Sequence, residues 1–521
     1  MAQWLDSQRM HNSYLRPTMP TRVLDLGPTR GEIQLVETID LSSQCEPYMA
    51  LSYRWGSPEN NHLITTLENL GDRKEGMRLV DMPKTIQDSV AVTRKLNIRY
   101  LWIDALCIIQ DSPADWKQEA RNMGAIYMNA TCTIAAHSAN HANHGFLEES
   151  MKQPQAIWLG GNCLDAENSF WVSQTGLQRR QIVESELSSR GWAVQERILS
   201  KSTIHFANDG IVYLESTSEM MSLDGAKDAT PLEAGGIRSM IEKDLSRGNI
   251  PDEEMKKISA KVYRDWYVLV WLYTQCSLTK PDDKTPALTG IINQIHEFTR
   301  DRCFMGVWQR QPAQGLLWGR SQQAFKRAIP FRGPSWSWIA YDGLVGFPNW
   351  TGDDQEMQDE FAAVEFDYSD DPLGVLSGLP KLRILRAKML RDFSFTTLNP
   401  RGGTGLRFLH GQVGDPSTIN TVLWRPLKCV TRFWQVADDS GDKVGWATFD
   451  EEKAGNFDGE DERITCIAIA SHSTEREGWQ RGYMVLFMKL LESGCFERVG
   501  MGQIDKSKLF DRLPIRDVTI I

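Results

Sequence analysis

The chain has 521 residues, 41% of them hydrophobic and 24% charged, with a net charge of -10 at pH 7. That length and balance are those of a globular protein able to bury a large core. The acid excess excludes a nucleic-acid binder, whose footprint is a basic stripe. The 9 Cys are scattered with no C-x-x-C pair, which excludes a knuckle-type zinc site and favours reduced, buried thiols.

Residues 1–30 are polar and punctuated by Pro17, Pro20 and Pro28, so an extended lead-in is expected, with an edge strand over Arg22–Leu26. No basic stretch followed by an apolar one opens the chain, so no secretory leader is expected. Glu32–Thr38 alternates apolar and polar, as a half-buried strand does. Tyr48–Tyr53 is a compact apolar run ending at a turn over Gly56-Ser57-Pro58. Residues 57–80 are polar and read as a long loop with short inserts. Pro83 opens a helix to about Leu96, with Ile86, Val90 and Thr93 on one face. Arg99–Ala105 is a second buried strand, running loosely on to Gln110. Asp111-Ser112-Pro113 caps a helix over about Ala114–Asn129, with Trp116, Ala120, Met123, Tyr127 and Ala130 as its apolar stripe. Thr131–Ala136 is a third apolar strand. Strand, helix, strand, helix, strand is the alternation of a parallel α/β sheet.

Further on, Trp192–Leu199 reads as a short helix. Thr203–Phe206 and Ile211–Leu214 read as a strand pair around Asn208-Asp209-Gly210. Residues 225–258 form a polar boundary, and Val262–Thr274 and Ala287–Thr299 are expected to be helical. Residues 330–521 read as largely β. Trp336 and Trp338 are expected in the core on opposite faces of a strand. Arg401–Gly405 reads as a hairpin turn and Gly455–Glu462 as an acidic surface loop. The longest apolar stretch, Met484–Leu491, is too short to span a bilayer, so no membrane partner is expected and the location is expected to be cytoplasmic.

Several ordered motifs resemble the fungal heterokaryon-incompatibility (HET) domain. They are Tyr48-Met-Ala-Leu-Ser-Tyr-Arg-Trp-Gly56, Met82-Pro-Lys-Thr-Ile-Gln-Asp-Ser89, Arg99-Tyr-Leu-Trp-Ile-Asp-Ala-Leu-Cys-Ile-Ile-Gln-Asp111, Ile126-Tyr-Met-Asn-Ala130 and Arg190-Gly-Trp-Ala-Val-Gln-Glu-Arg197. Asp283–Gly290, Gly306–Trp308, Leu316–Trp318 and Pro334–Trp338 resemble the region that often follows that domain. Arg54 and Ile109 depart from the residues more usual there.

The resemblance implies an α/β fold with a TIR-like parallel sheet flanked by helices, then a helical segment and a β-rich C-terminal region. The expected boundaries are a lead-in at 1–30, the HET domain at 31–225, a helical extension at 226–330 and the β-rich region at 331–521. It also implies a role in allorecognition and programmed cell death. Some TIR domains cleave NAD at its glycosidic bond with a Glu on the helix after the third strand. By that likeness NAD is a substrate and no cofactor is needed. The likeness further implies self-association and an upstream sensor in another chain. A non-catalytic interaction module, or a small-molecule enzyme on the same scaffold, is the alternative.

The candidate catalytic residues are Glu119 and Asp104. Glu119 sits at the edge of the apolar helix stripe, where partial desolvation would raise its pKa; a solvated carboxylate paired with Lys117 or Arg121 is the plainer reading. Asp104 ends a strand, where α/β sheets bind ligands, or it caps a helix. Ser52, Arg54, Trp55 and Gly56 follow the first parallel strand and are candidate substrate contacts. Arg54 would meet a phosphate and Trp55 a base, or Trp55 is core and Gly56 a turn glycine. Cys107 and Gln110 are further candidates, against a buried thiol and a loop brace. Gln195-Glu196-Arg197 either brace the sheet through hydrogen bonds or line the same cleft, bracing being the plainer reading. His137, His141 and His144 have metal-ligand spacing but lie in a loop-like stretch, and no metal site is expected.

Overall fold

The computed structural model describes residues 1–11, 19–27, 32–56, 63–150, 182–222, 252–320, 326–347, 358–367, 381–397, 434–450, 464–472 and 482–504, residues 42, 44, 209, 218, 219, 392 and 439 excepted. It also describes 157–158, 171–172, 227–228, 237, 509–510, 513 and 515–521. The expected features at Arg401–Gly405 and Gly455–Glu462 lie outside the described residues. The chain divides into two compact units, 1–266 with 276–298, and 267–275 with 299–521.

The first unit is built on a nine-stranded sheet. In chain order its elements are helix α1 (Ala2–His11), strands β1 (Arg22–Asp25), β2 (Gln34–Glu37) and β3 (Tyr48–Ser52), and helices α2 (Leu70–Glu75) and α3 (Lys84–Lys95). Strand β4 (Tyr100–Trp102), helices α4 (Asp104–Cys107) and α5 (Pro113–Asn129), strand β5 (Cys132–Ala136) and helix α6 (Gly191–Leu199) follow. Strands β6 (Ser202–Phe206), β7 (Val212–Ser216), β8 (Met220–Ser222) and β9 (Lys227–Asp228) complete the sheet. Helices α7 (Asp252–Tyr273) and α8 (Pro286–Thr299) come after it, α7 as far as Trp266 and α8 as far as Phe298 belonging to this unit.

The strand order is β9-β8-β7-β6-β5-β3-β4-β1-β2. Strands β4, β3, β5 and β6 run parallel, with Met49 opposite both Leu101 and Cys132. The flanking strands are antiparallel. Every residue of β3, β4, β5 and β6 is buried, which is why β3, β4 and β5 are largely apolar runs without alternation. Helix α5 begins on Ser112, whose hydroxyl accepts from the Asp115 N–H at 3.3 Å.

Five local expectations are corrected. Residues 2–11 are helical rather than extended. Strand β1 is not an edge: it lies between β4 and β2, because β2 turns back on it. The 57–80 stretch contains helix α2, and the second parallel strand ends at Trp102, where Asp104 starts the short helix α4 instead of a continuing strand. Trp336 and Trp338 are buried as expected, but they sit in a turn and a 3-10 helix, with no strand there.

Helices α5 and α8 touch backbone to backbone. A Cβ on Gly124 would lie 2.6 Å from the Gly290 Cα, and one on Gly290 2.7 Å from Gln195 Oε1. Gln195 also accepts the Gly290 N–H at 2.7 Å. We therefore expect Gly290→Ala to destabilise this unit by roughly 1–3 kcal/mol, since the helices must part. A urea titration checks it; an unchanged midpoint would contradict the close packing.

The second unit is β-rich. Its ten-stranded sheet includes Lys381–Leu390, Ile464–His472, Gly482–Leu490, Phe496–Ile504 and Ile515–Ile520. Its core gathers Phe449, Tyr483, Val485, Phe487 and Ile504. Arg498 is fully buried there, its guanidinium 3.3 Å from the Trp318 ring centre and 3.2 Å from Asp450. No helix among the described residues is long and apolar enough to cross a membrane.

Candidate functional site at the carboxyl edge of the parallel strands

Strand β3 connects to β4 on one side and β5 to β6 on the other, so the strand order diverges between β3 and β5. A crevice opens at such a point, outside the carboxyl ends of the strands. Here a small cavity is lined by Ser52 of β3, Ala135 and His137 at the end of β5, and Ser188, Ala193 and Arg197 around α6. Its volume of about 10 Å³ is the scale of one water molecule.

Two carboxylates stand beside that crevice. Glu196 is buried on α6, and its Oε2 accepts the Ser52 hydroxyl proton at 2.5 Å. Burial raises its pKa to about 7, with Asp104 adding to the rise and Arg190, Ser52 and Tyr127 opposing it. Asp104 is half-buried. Both of its oxygens lie 3.0 Å from the Trp55 indole nitrogen, which donates to them. Burial raises its pKa as well, against the pull of Arg190, Trp55 and the Ala105 N–H. Arg190 precedes α6 and donates to the Tyr53 carbonyl, so its guanidinium acts on both carboxylates. One cation facing two desolvated carboxyls favours a single shared negative charge, with one carboxyl protonated.

Glu119 belongs to a different cluster. It is fully buried on α5 instead of lying at a half-solvated stripe edge. Its Oε1 accepts the Thr21 hydroxyl at 2.6 Å, and its buried Oε2 finds no hydrogen-bond partner among the described residues. Burial raises its pKa; Thr21 and Arg22 lower it. Arg22 is the cation of this cluster, bound to both oxygens of Asp115 at 2.6 Å and to the Cys107 carbonyl at 2.8 Å. Glu119 thus faces β1, through residues about one hundred positions earlier in the chain.

The other expected site residues divide similarly. Ser52, Trp55 and Asp104 come together at the crevice. Arg54 turns outward to an ion pair with exposed Glu186. Gly56 adopts φ +93°, the left-handed region that suits glycine in a turn. The Cys107 thiol is buried and its pKa is pushed up to about 12, so it is held protonated. The Gln110 amide donates to the Asp104 and Ile108 carbonyls at 3.0 and 3.1 Å, holding the loop main chain.

Sequence reasoning favoured a brace over a cleft residue for Glu196 and passed over Arg190. The available signal was a charged residue flanked by Trp192, Ile198 and Leu199 in a predicted helix, which marks a buried charge but not its partners. Of the spaced histidines, His141 and His144 pair ring to ring, while His137 turns inward. No cluster with metal-ligand composition occurs among the described residues.

Residues 48–196 match the family model described as Heterokaryon incompatibility protein (HET). The chain carries a HET domain. The HET domain match opens on the first residue of β3 and closes on Glu196, so it encloses Ser52, Asp104, Glu119 and Arg190. It suggests a role in heterokaryon incompatibility. No curated protein and no solved structure matches the chain significantly.

Proposed function

We propose that this chain is a cell-death effector of heterokaryon incompatibility whose HET domain hydrolyses the N-glycosidic bond of NAD. The observation that carries the reading is the carboxyl pair Asp104 and Glu196, which shares Arg190 at the strand-order divergence. The likeness of HET to TIR domains supplies the substrate class.

The chemistry suits these residues. The bond between the ribose C1′ and the nicotinamide nitrogen breaks, and the electron pair leaves with nicotinamide, which needs no proton. The ribose carries oxocarbenium-like charge, which an anionic carboxylate stabilises. Water then adds to C1′ and loses one proton. A carboxyl with a pKa of about 7 is partly ionised at neutral pH and accepts it. The products are ADP-ribose, nicotinamide and one proton. In this reading Asp104 stabilises the cation and Glu196 takes the proton. Glu119 is the competing centre, favoured by its buried Oε2, which finds no hydrogen-bond partner among the described residues.

The test is nicotinamide release by the purified full chain at high concentration, which also favours the self-association implied by the TIR likeness. Wild type is compared with Glu196→Gln and Glu119→Gln. Release abolished only by Glu196→Gln supports the crevice; abolition only by Glu119→Gln moves the chemistry to that carboxyl. No release by wild type overturns catalysis on NAD and favours an interaction module that recruits partners through the HET surface.

A further inference from the structure

Beside the crevice, four buried polar side chains form one continuous chain of hydrogen bonds. Ser185 Oγ lies 2.7 Å from His137 Nδ1. His137 Nε2 lies 2.9 Å from His205 Nδ1. His205 Nε2 lies 2.9 Å from Glu215 Oε2. All four residues are at most 3% exposed, and the two imidazoles stack with centres 5.1 Å apart. They come from four elements: the turn before α6, the end of β5, and strands β6 and β7.

With His137 neutral, as its burial favours, counting donors leaves two ways to satisfy every link. In the first, Ser185 donates to His137, His137 Nε2–H donates to His205, and His205 Nε2–H donates to an ionised Glu215. Each bond then points toward Glu215. In the second, one more proton is present between His205 and Glu215. His205 Nδ1–H now donates to His137 Nε2, and His137 Nδ1–H donates to Ser185. Each bond of the two histidines then points toward Ser185, whose own proton goes to the Ile182 carbonyl, 2.8 Å away. The same heavy-atom positions serve both states.

We propose that Ser185, His137, His205 and Glu215 form a one-proton switch, in which uptake of a proton at the Glu215 end reverses the chain and closes the Ser185 turn. That turn leads directly into the crevice. The Ile182 carbonyl also accepts from the Ser185 N–H at 3.3 Å and from the Ser188 hydroxyl at 2.6 Å. Five residues after Ser185 comes Arg190, the cation between Asp104 and Glu196. In the acid state the turn carrying Arg190 gains the Ser185 hydroxyl bond; in the alkaline state it loses it. As regulation of the proposed reaction this rests on the reading of that crevice; the proton switch itself does not.

The charges facing the histidines agree with this. Burial, then His205 and then Arg197 of α6, hold the His137 pKa well below the usual imidazole value, while Glu215 opposes them. His137 therefore stays neutral in both states and only changes which nitrogen carries its proton.

The experiment is a long-range proton–nitrogen NMR spectrum of the full chain labelled at histidine, followed over roughly pH 5 to 8. The His137 signals are assigned by their absence in His137→Gln. We expect a neutral His137 throughout, protonated on Nε2 at the alkaline end and on Nδ1 at the acid end. Glu215→Gln has no proton to take up, so its His137 should keep one tautomer over the whole range. A wild-type His137 that becomes an imidazolium, or never changes tautomer, overturns the proposal, as does a Glu215→Gln variant that switches like wild type. The wild-type spectrum decides even if that variant fails to fold. Absence of nicotinamide release would overturn the reading of the crevice and leave this result untouched, so the two can fail separately.

Discussion

Glu196→Gln should cut the rate of nicotinamide release by about 10²–10⁴-fold, the usual contribution of a positioned acid or base, while making the folded chain more stable at alkaline pH. The two effects have one cause. In the unfolded chain this carboxyl ionises near the ordinary value of 4.5; in the folded chain burial holds it to about 7. Below the lower value both states are protonated and the group is neutral toward folding. Between the two values the unfolded state has ionised and the folded state has not, so stability falls as pH rises. Above about 7 both are ionised and the loss stops, at roughly 3 kcal/mol. Glutamine keeps the size and a hydrogen-bonding oxygen for Ser52 but has no proton to lose. Urea unfolding of the two proteins should therefore match near pH 4 and diverge in favour of Glu196→Gln near pH 8. A variant that loses activity and is destabilised at both pH values would show a structural carboxylate instead.

Arg22→Ala is the second large effect, and it tests the Glu119 cluster. Arg22 is 5% exposed and joins Asp115, the Cys107 carbonyl and, through its charge, Glu119. Its removal leaves Asp115 and a buried Glu119 without their cation. We expect a loss of about 3–5 kcal/mol, the cost of breaking a buried ion pair from one side. Arg78 provides the contrast: it pairs with Asp81 on the surface, 70% and 56% exposed, and Arg78→Ala should cost at most about 1 kcal/mol. Urea midpoints followed by tryptophan fluorescence separate the two. Equal midpoints would mean that Arg22 is solvated in solution and that Glu119 lacks the burial ascribed to it.

Much of the first unit was legible along the chain. The runs at Tyr48–Tyr53, Arg99–Ala105 and Thr131–Ala136 are apolar without alternation because parallel strands are covered on both faces. The intervening helices announce themselves by the stripe of α5 and by Ser112 at its start. Asn208 and Gly210 mark the turn between β6 and β7 for the same local reason, since a tight turn needs particular residues at fixed places. What fails is also local in kind. Residues 2–11 have weak amphipathic patterning, so nothing in their spacing announces the helix they form. Strand β1 looks like an edge strand because it is short and flanked by prolines, and only β2 folding back covers it.

The site divides along the same line. Residue types and spacing alone singled out Ser52, Trp55 and Asp104, because they lie where apolar strands end and polar loops begin. Which charge meets which is another matter. Ser52 and Glu196 are 144 positions apart, Thr21 and Glu119 are 98, and His137 and His205 are 68. Helical spacing placed Glu119 at the border of a stripe, yet whether that border is wet depends on β1 packing over it. Glu196 read as a brace because its apolar neighbours told of burial and nothing told of Arg190 and Asp104. The sequence by itself determined the parallel strands, the helices between them and the strand ends where a site can form, since these follow from local periodicity and burial. Only the tertiary structure decided that Glu196 rather than Glu119 shares the crevice with Asp104, because strand order brings together groups that no local spacing connects.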